Sequence, residues 1–253
     1  MATAPEAQFQ KILDDLYNNA TACVRYAYTH LAIDATTAPE LRAYLNAHAD
    51  FWNTVRGGLQ ASMIVALGRL YDKKNQTLTV DFVLRHAERH PGIFSKPSLR
   101  QRKIVSGLNE HDATNFVANR FEPDRSSFEQ LRAELNQMRA LYSVTVGPVR
   151  HNIFAHAGNL TIEQREALFT KVLIRDLERL VVFPWLLWEA LWGLFHNGVK
   201  PELRETPTNI VEVVEIANPN VSHTLEHLHS TAKAISFLES MRPMYPELYG
   251  PGS

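Results

Sequence analysis

The sequence contains a single cysteine and no hydrophobic run of membrane-spanning length. Because Cys23 is the single cysteine, an internal disulfide and a multi-cysteine metal site are excluded. The most apolar run, from Leu180 to Phe195, is shorter than the roughly 20 residues that a bilayer requires, and it contains Pro184 and Glu189. This run therefore predicts a buried helix or a subunit interface. The first residues carry neither the basic nor the apolar region of a signal peptide, so we expect a cytoplasmic protein without membrane contact.

The sequence also has no excess of charge of either sign. Its 26 lysines and arginines nearly balance its 27 aspartates and glutamates, so RNA binding would need a local basic patch. Glycine-rich phosphate loops and the G-x-S-x-G nucleophile motif are absent. Hydrophobic residues make up 45% of the 253 positions, which is enough to bury the core of one large domain.

Strand signals are scarce, and most segments repeat their apolar residues at the helical spacing of three or four. We therefore predict an all-α bundle of about six to eight helices. Residues 1–200 are expected to form the helical domain, and residues 201–253 a C-terminal extension with one helix. Alternating Val and Glu predict a short extended or hairpin segment near 208–217. The first helix should bury Phe9, Ile12, Leu16, Cys23, Tyr26 and Leu31.

Several helix ends can be predicted from local signals. A long helical stretch should cover Pro39 to Tyr71, since Pro39 suits a first helical turn. Thr79 is expected to cap the next short helix with its hydroxyl. Thr161 and Gln164 have the spacing of a capping box, and the helix that they open should extend to about Phe195.

The stretch "GPVRHNIFAHAG", from Gly147 to Gly158, concentrates groups that bind phosphate and transfer protons. Arg150 can hold phosphate oxygens through two donors, and His156 can take or give a proton near neutral pH. Cleaving RNA without a metal needs both roles: a base removes the 2′-hydroxyl proton, and a cation stabilises the phosphate. The alternative is a polar surface helix end, with Arg150 paired to a carboxylate.

The spacing of these groups favours a site made by two chains. In a regular α-helix Arg150 and His156 lie roughly 120° apart around the axis and about 9 Å apart along it, so one helix does not direct both at one atom. Two copies that meet across a two-fold axis would present both groups to one cleft. Asn152 and His156, four residues apart, face the same way.

Other polar and aromatic clusters have structural alternatives. "HTLEH" places His223 and His227 in an inverted zinc-protease pattern, but a suitable downstream ligand is lacking and a solvated helix face is favoured. Trp185, Trp188 and Trp192 form a stripe that indicates core or dimer packing rather than a ligand site. A further set of cations would either flank an RNA groove or form a solvated face: Arg69, Lys73, Lys74, Arg100, Arg102 and Lys103.

Two stretches carry a resemblance to a known family. "VRHNIFAHAG" resembles the HEPN signature. In that signature an arginine is followed by a polar residue, and a histidine comes after four to six residues that intervene between it and the arginine. Here five residues intervene between Arg150 and His156, and His151 takes the polar place. "MIVALGRLYDKKNQTLTVDFVLRHA" is similar to a recurring block of the AbiU-type abortive-infection branch, in which Arg69 and Asp72 match. The resemblance covers Phe9 to Phe195.

The resemblance implies a metal-independent endoribonuclease that acts as a homodimer, with the site at the interface and no cofactor. Arg150 would bind the scissile phosphate, His156 would be the general acid or base, and His151 would orient the pair or contact RNA, with Asn152 nearby. Such proteins are often toxins that halt growth during phage infection, and an antitoxin protein is a further candidate partner. Gly158 stands where some relatives carry a regulatory tyrosine, so control through that tyrosine is not expected. The alternative is a non-catalytic HEPN-like module that binds nucleotide, RNA or a protein.

Overall fold

A computed structural model of the chain describes residues 4–34, 39–72, 79–124, 126–155 and 160–203. Helices take up 85% of these residues and strands none, so the all-α prediction is confirmed for this part of the chain. The α-helices are α1 (Ala4–Asp34), α2 (Pro39–Ala47), α3 (Ala49–Tyr71), α4 (Val80–Arg89), α5 (Lys96–Val105), α6 (Glu110–Ala118), α7 (Glu129–Val144), α8 (Val146–Val149), α9 (Ile162–Phe169) and α10 (Ile174–Asn197). Short 3₁₀ turns span Pro91–Phe94 and Ser126–Phe128, and a π-helical turn spans Arg150–Ala155. The predicted extended segment at 208–217 lies outside the described residues.

The described residues hold ten α-helices rather than six to eight, because two predicted helices divide and because α6 was not predicted as a helix. The stretch from Pro39 to Tyr71 separates into α2 and α3 at His48. The helix expected from Thr161 to Phe195 is interrupted at residues 170–173, so its predicted length was wrong. None of the residues of α9 is buried, so little packing supports a continuous helix there.

The apolar face of α1 was predicted correctly except at one position. Phe9, Leu16 and Cys23 are buried, as the helical spacing indicates. Tyr26 was expected to be buried, but it is 36% exposed. The buried face continues from Cys23 to Ala27, and Tyr26 lies about 100° around the helix from Ala27.

Both predicted N-terminal caps are present. The Thr79 hydroxyl accepts a hydrogen bond from the Phe82 backbone N–H at 3.1 Å. The Thr161 hydroxyl accepts from the Gln164 N–H at 3.3 Å, and the Gln164 side chain accepts from the Thr161 N–H at 3.0 Å. Each cap satisfies backbone donors that have no partner within the first helical turn.

Helix α10 continues through Pro184 because a side chain replaces the lost backbone hydrogen bond. Proline has no N–H, so the carbonyl of Leu180, four residues earlier, loses its usual helical donor. The Tyr71 hydroxyl donates to that carbonyl at 2.9 Å. A buried carbonyl that would otherwise lack a partner is thereby satisfied.

The chain divides into two compact units, and the described residues of the first are 4–20, 67–72, 79–124, 126–148 and 179–203. Its core contains a cluster of aromatic rings, in which Phe9 packs edge-on against Phe94 and Phe195 with centroids 5.2 Å apart in each pair. The Arg102 guanidinium lies over the Phe195 ring, 4.1 Å from its centroid. Unit 1 is therefore built around aromatic packing.

The described residues of the second unit are 21–34, 39–66, 149–155 and 160–178. One of its buried clusters joins Ile33 of α1 to Tyr44 of α2 and Trp52 of α3. An ion pair between Arg56 and Asp34, at 2.6 Å, links α3 to the end of α1. The predicted boundary near residue 200 stays a prediction, since residues 204–253 lie outside the described part of the chain. No described helix has the length and apolar content needed to cross a membrane.

Candidate functional site

The arginine–histidine motif follows a sharp break between two helices. Helix α7 ends at Val144, and Thr145, with φ of −108° and ψ of −84°, leaves the helical conformation. The Thr145 hydroxyl donates to the Leu141 carbonyl at 2.6 Å, which satisfies one of the last carbonyls of α7. The single turn of α8 then carries Pro148 and leads into the π-helical turn that begins at Arg150.

Close packing within unit 1 holds the chain just before the motif. A Cβ atom at Gly147 would lie 3.0 Å from the Tyr142 carbonyl oxygen, which is tighter than nine in ten Cβ contacts in proteins. The Tyr142 ring stacks on the Tyr71 ring, with centroids 5.3 Å apart. The Tyr71 hydroxyl in turn donates a hydrogen bond to the Leu180 carbonyl. The end of α3, the end of α7 and the middle of α10 thus meet immediately before the motif.

The motif is not in the regular α-helix that the sequence suggested. Residues Arg150–Ala155 form a π-helical turn, in which backbone bonds join residues five apart rather than four. The offset of roughly 120° between Arg150 and the histidine assumed α-helical geometry, and that assumption is wrong for this turn. Most π-turns in proteins are single widened turns inside α-helices, and they are frequent at functional sites.

The motif residues differ in how far they reach the surface. Arg150 and Asn152 are half-buried, and His151 is exposed. Ile153 and Phe154 are half-buried, so the turn presents polar and apolar groups together. His156 and Gly158 lie outside the described residues.

The cations predicted to flank an RNA groove differ in their exposure and in their contacts with the rest of the protein. Arg69 is exposed on α3, and Lys73 and Lys74 lie outside the described residues. The Arg100 guanidinium donates to the Thr114 hydroxyl at 2.9 Å. Arg100 therefore helps to join α5 to α6.

The next two cations of α5 also contact the protein itself. The Lys103 ammonium donates to the Asn197 amide oxygen at 3.2 Å. Arg102 is only 15% exposed, and it contacts the Glu6 carboxylate at 2.5 Å and the carbonyls of Ile93 and Phe195 at 2.8 Å each. Burial lowers the pKa of Arg102, and Glu6 opposes that shift. These contacts give Arg102 a structural role.

The tryptophan stripe of α10 runs from the core to the surface. Trp185 is buried, Trp188 is half-buried and packs on Tyr17 with centroids 4.6 Å apart, and Trp192 is 37% exposed. Core packing thus accounts for the first part of the stripe.

Unit 2 contains a buried carboxyl that the sequence reading missed. Glu178 is 2% exposed, and burial raises its pKa to about 7. Burial, and then the nearby Glu178, raise the pKa of the Tyr28 phenol. Within the described residues, the Oε1 atom of Glu178 has no hydrogen-bond partner. No feature of the sequence around Glu178 marks it as buried except its place on a helix otherwise rich in apolar residues.

A second feature that the sequence reading missed is "RHAERH" on α4. Two Arg-His pairs, Arg85–His86 and Arg89–His90, recur four residues apart, so both pairs face the same side of the helix. The repeated Arg-His pair in the sequence therefore indicates a basic face on this helix.

Comparison with known protein families identifies the chain. The sequence profile of HEPN_AbiU2, described as AbiU2, matches residues 6–208. The chain belongs to the HEPN_AbiU2 family. The resemblance inferred from the two sequence blocks is thereby confirmed, and the AbiU2 match indicates an abortive-infection-related HEPN domain. Searches of the curated proteins and of the solved structures found no match.

The zinc site considered from the sequence lies outside both the AbiU2 match and the described structure. Both histidines of the zinc-protease pattern, His223 and His227, lie beyond the matched span and outside the described residues. Among the residues that the structure does describe, no three His, Cys, Asp or Glu side chains are grouped so that they could hold a metal ion.

Proposed function

We propose that this AbiU2-type HEPN chain is a metal-independent endoribonuclease toxin of the abortive-infection and toxin–antitoxin type. Arg150 binds the scissile phosphate, and His156 is the general acid or base. The observation that carries the proposal is the motif arginine at the start of a π-helical turn, in a chain whose family is HEPN_AbiU2. The close packing of Gly147 on Tyr142 supports it by fixing the chain that leads into Arg150.

The chemistry needs no group beyond the protein and the RNA. A histidine base takes the proton of a ribose 2′-hydroxyl, and the 2′-oxygen attacks the adjacent phosphorus. The bond to the 5′-oxygen breaks, and that oxygen receives a proton from a general acid. General acid–base catalysis contributes about 10²–10⁴-fold, and one well-placed donor to the developing charge contributes about 10²–10³-fold.

Arg150 and His151 suit the two contacts that such a reaction requires. Arg150 is half-buried, and a guanidinium in such a place loses little side-chain freedom when it binds phosphate through two donors. The exposed His151 can contact RNA or orient the reacting groups, and the half-buried Asn152 offers an amide beside it. Arg150 and His151 match the arginine and the polar position of the HEPN motif.

We further propose that the active form is a homodimer in which each chain supplies Arg150 and His156 to a shared cleft. Symmetric dimers commonly build a site from the same patch of both subunits. An antitoxin protein that covers this cleft would hold the toxin inactive.

The test is cleavage of total RNA by the purified full-length chain in EDTA. We expect the wild type to cut, and we expect His156→Ala to cut at least about 100-fold more slowly. The matched control is His111→Ala, because His111 is an exposed histidine on α6, outside the motif. Circular dichroism of each variant separates a lost reaction from a lost fold.

The other outcomes discriminate between the candidate functions. Equal cutting by the wild type and His156→Ala would overturn the assignment of the histidine. If the wild type binds RNA without cutting it, the non-catalytic HEPN-like module becomes the better explanation. Activity that disappears in EDTA would contradict the metal-independent mechanism.

A further inference from the structure

A small pocket on α4 is lined only by basic and aromatic side chains. Its lining is Phe82, Arg85, His86, Arg89 and His90, and its volume is about 250 Å³. We call it the basic pocket. This volume is slightly below that of typical small-molecule sites, which begin at roughly 300 Å³. Every ionisable group in its lining is a base.

The spacing of these bases brings like charges together. Arg85 and Arg89 are four residues apart on one helix, and so are His86 and His90, whose rings lie 4.6 Å apart. Like charges at this spacing destabilise a helix. The C-terminal end of a helix favours cations, which explains part of the pattern. This preference does not explain why the arginine pair and the histidine pair line the same cavity.

The neighbouring acidic groups do not neutralise the pocket. Asp81 contacts three arginines: Arg85 at 3.2 Å, Arg139 at 3.5 Å and Arg132.

The second neighbouring carboxylate is also engaged outside the pocket. Glu88 pairs with Arg132 at 2.7 Å. Both carboxylates thus pair with arginines that lie outside the pocket lining, Arg132 and Arg139. Asp81 binds Arg85 at its Nε atom, so the two terminal nitrogens of Arg85 are not used by Asp81.

His86 lines the pocket as a buried group with one unused nitrogen. It is 8% exposed, and a hydrogen bond to the Pro5 backbone engages its ring. Within the described residues, its Nε2 atom has no hydrogen-bond partner. Burial lowers the pKa of His86, and the charges of His90 and Arg89 lower it further. The ring is held in place, since it also stacks on Phe9 with centroids 5.7 Å apart.

We propose that the basic pocket binds a phosphate-bearing ligand, with the phosphate between Arg85 and Arg89 and the ligand's ring against Phe82. Phe82, Arg85 and Arg89 have the spacing i, i+3 and i+7, so they form one line along α4, about 10 Å long. Guanidinium groups bind phosphate oxygens through paired donors, and an aromatic ring gives a base a surface on which to stack. A free nucleotide and an RNA backbone share this chemistry. The proposal goes beyond RNA cleavage at the motif and does not depend on it.

The experiment is calorimetric titration of the full-length chain with three probes: inorganic phosphate, 5′-AMP and a short oligoribonucleotide. The oligoribonucleotide is titrated into the double variant Arg150→Met and His156→Ala, so that neither cleavage nor binding at the motif contributes to the signal. Arg89→Met removes the exposed arginine of the pocket, and His90→Gln is a second, milder change. The matched control is Arg165→Met, an exposed arginine on α9 in unit 2.

We expect one binding site per chain, with affinity at least about tenfold weaker in Arg89→Met and weakened in His90→Gln, but unchanged in Arg165→Met. Binding of 5′-AMP or phosphate would identify a free small phosphate compound as the ligand. Binding of the oligoribonucleotide alone, with the same sensitivity to Arg89→Met, would identify the RNA backbone. Absence of binding by all three probes, or binding that Arg89→Met leaves unchanged, would overturn the proposal.

Discussion

Replacing Glu178 by glutamine should stabilise the protein at alkaline pH and flatten its pH dependence. Glu178 is buried in α10, and its pKa is raised from 4.5 to about 7 by burial. The folded chain therefore holds a proton on this carboxyl between those two pH values, while the unfolded chain does not. Stability from this group is complete below pH 4.5, and it is lost as the pH rises through about 7.

The size of the effect follows from the difference between the two pKa values. A difference of one between the two pKa values corresponds to about 1.4 kcal/mol, so an ionised Glu178 costs the folded state about 3 kcal/mol well above pH 7. Because the unfolded carboxyl is already largely ionised at pH 5, about 2–3 kcal/mol of this cost should appear between pH 5 and pH 8. Glutamine has nearly the same shape and no charge, so the variant should avoid the cost.

The assay is urea unfolding of the wild type, Glu178→Gln and a control at pH 5 and pH 8. Glu166→Gln is the matched control, because Glu166 is exposed on α9. We expect Glu178→Gln to gain about 2–3 kcal/mol over the wild type on going from pH 5 to pH 8, and the control to gain nothing. Parallel pH profiles for the wild type and Glu178→Gln would refute the reasoning.

Three further substitutions test contacts that position the motif or begin a helix. Gly147→Ala should destabilise the protein by about 1–3 kcal/mol and slow RNA cleavage, since its Cβ would press on the Tyr142 carbonyl; an unchanged melting temperature would contradict this. Tyr71→Phe should cost about 1–3 kcal/mol in urea unfolding, because the Leu180 carbonyl loses its donor; a neutral result would mean that another group replaces it. Thr79→Ala should cost about 1 kcal/mol through loss of the cap, whereas Thr79→Ser should keep most of the stability.

Helix positions were largely predictable because they depend on signals within a few residues. Thr79 and the pair Thr161–Gln164 bond to backbone groups three residues away, so their roles need no knowledge of the fold. The break after Phe169 was not predictable in this way. Apolar residues continue across it at helical spacing, and the local pattern therefore indicates one helix where the structure has two.

The candidate site was predictable in its residue types and not in its geometry. Arg150 and His151 stand out because their side chains bind phosphate and transfer protons. The π-helical turn follows a helix break and the contact of Gly147 with Tyr142, which the periodicity of apolar residues does not specify. Arg102 illustrates the same limit, because its partners Glu6 and Phe195 are 96 and 93 residues away. A sequence pattern shows that Arg102 is a cation, and only the fold shows which way it points.

The ends of the RNA fragments made in EDTA test the proposed 2′-hydroxyl attack most directly. Attack by the 2′-oxygen leaves a 2′,3′-cyclic phosphate on one fragment and a 5′-hydroxyl on the other. We predict those ends for the wild type, and no cutting at a position where the attacking ribose is replaced by 2′-deoxyribose. Fragments that carry a 5′-phosphate and a 3′-hydroxyl would contradict the roles proposed for Arg150 and His156.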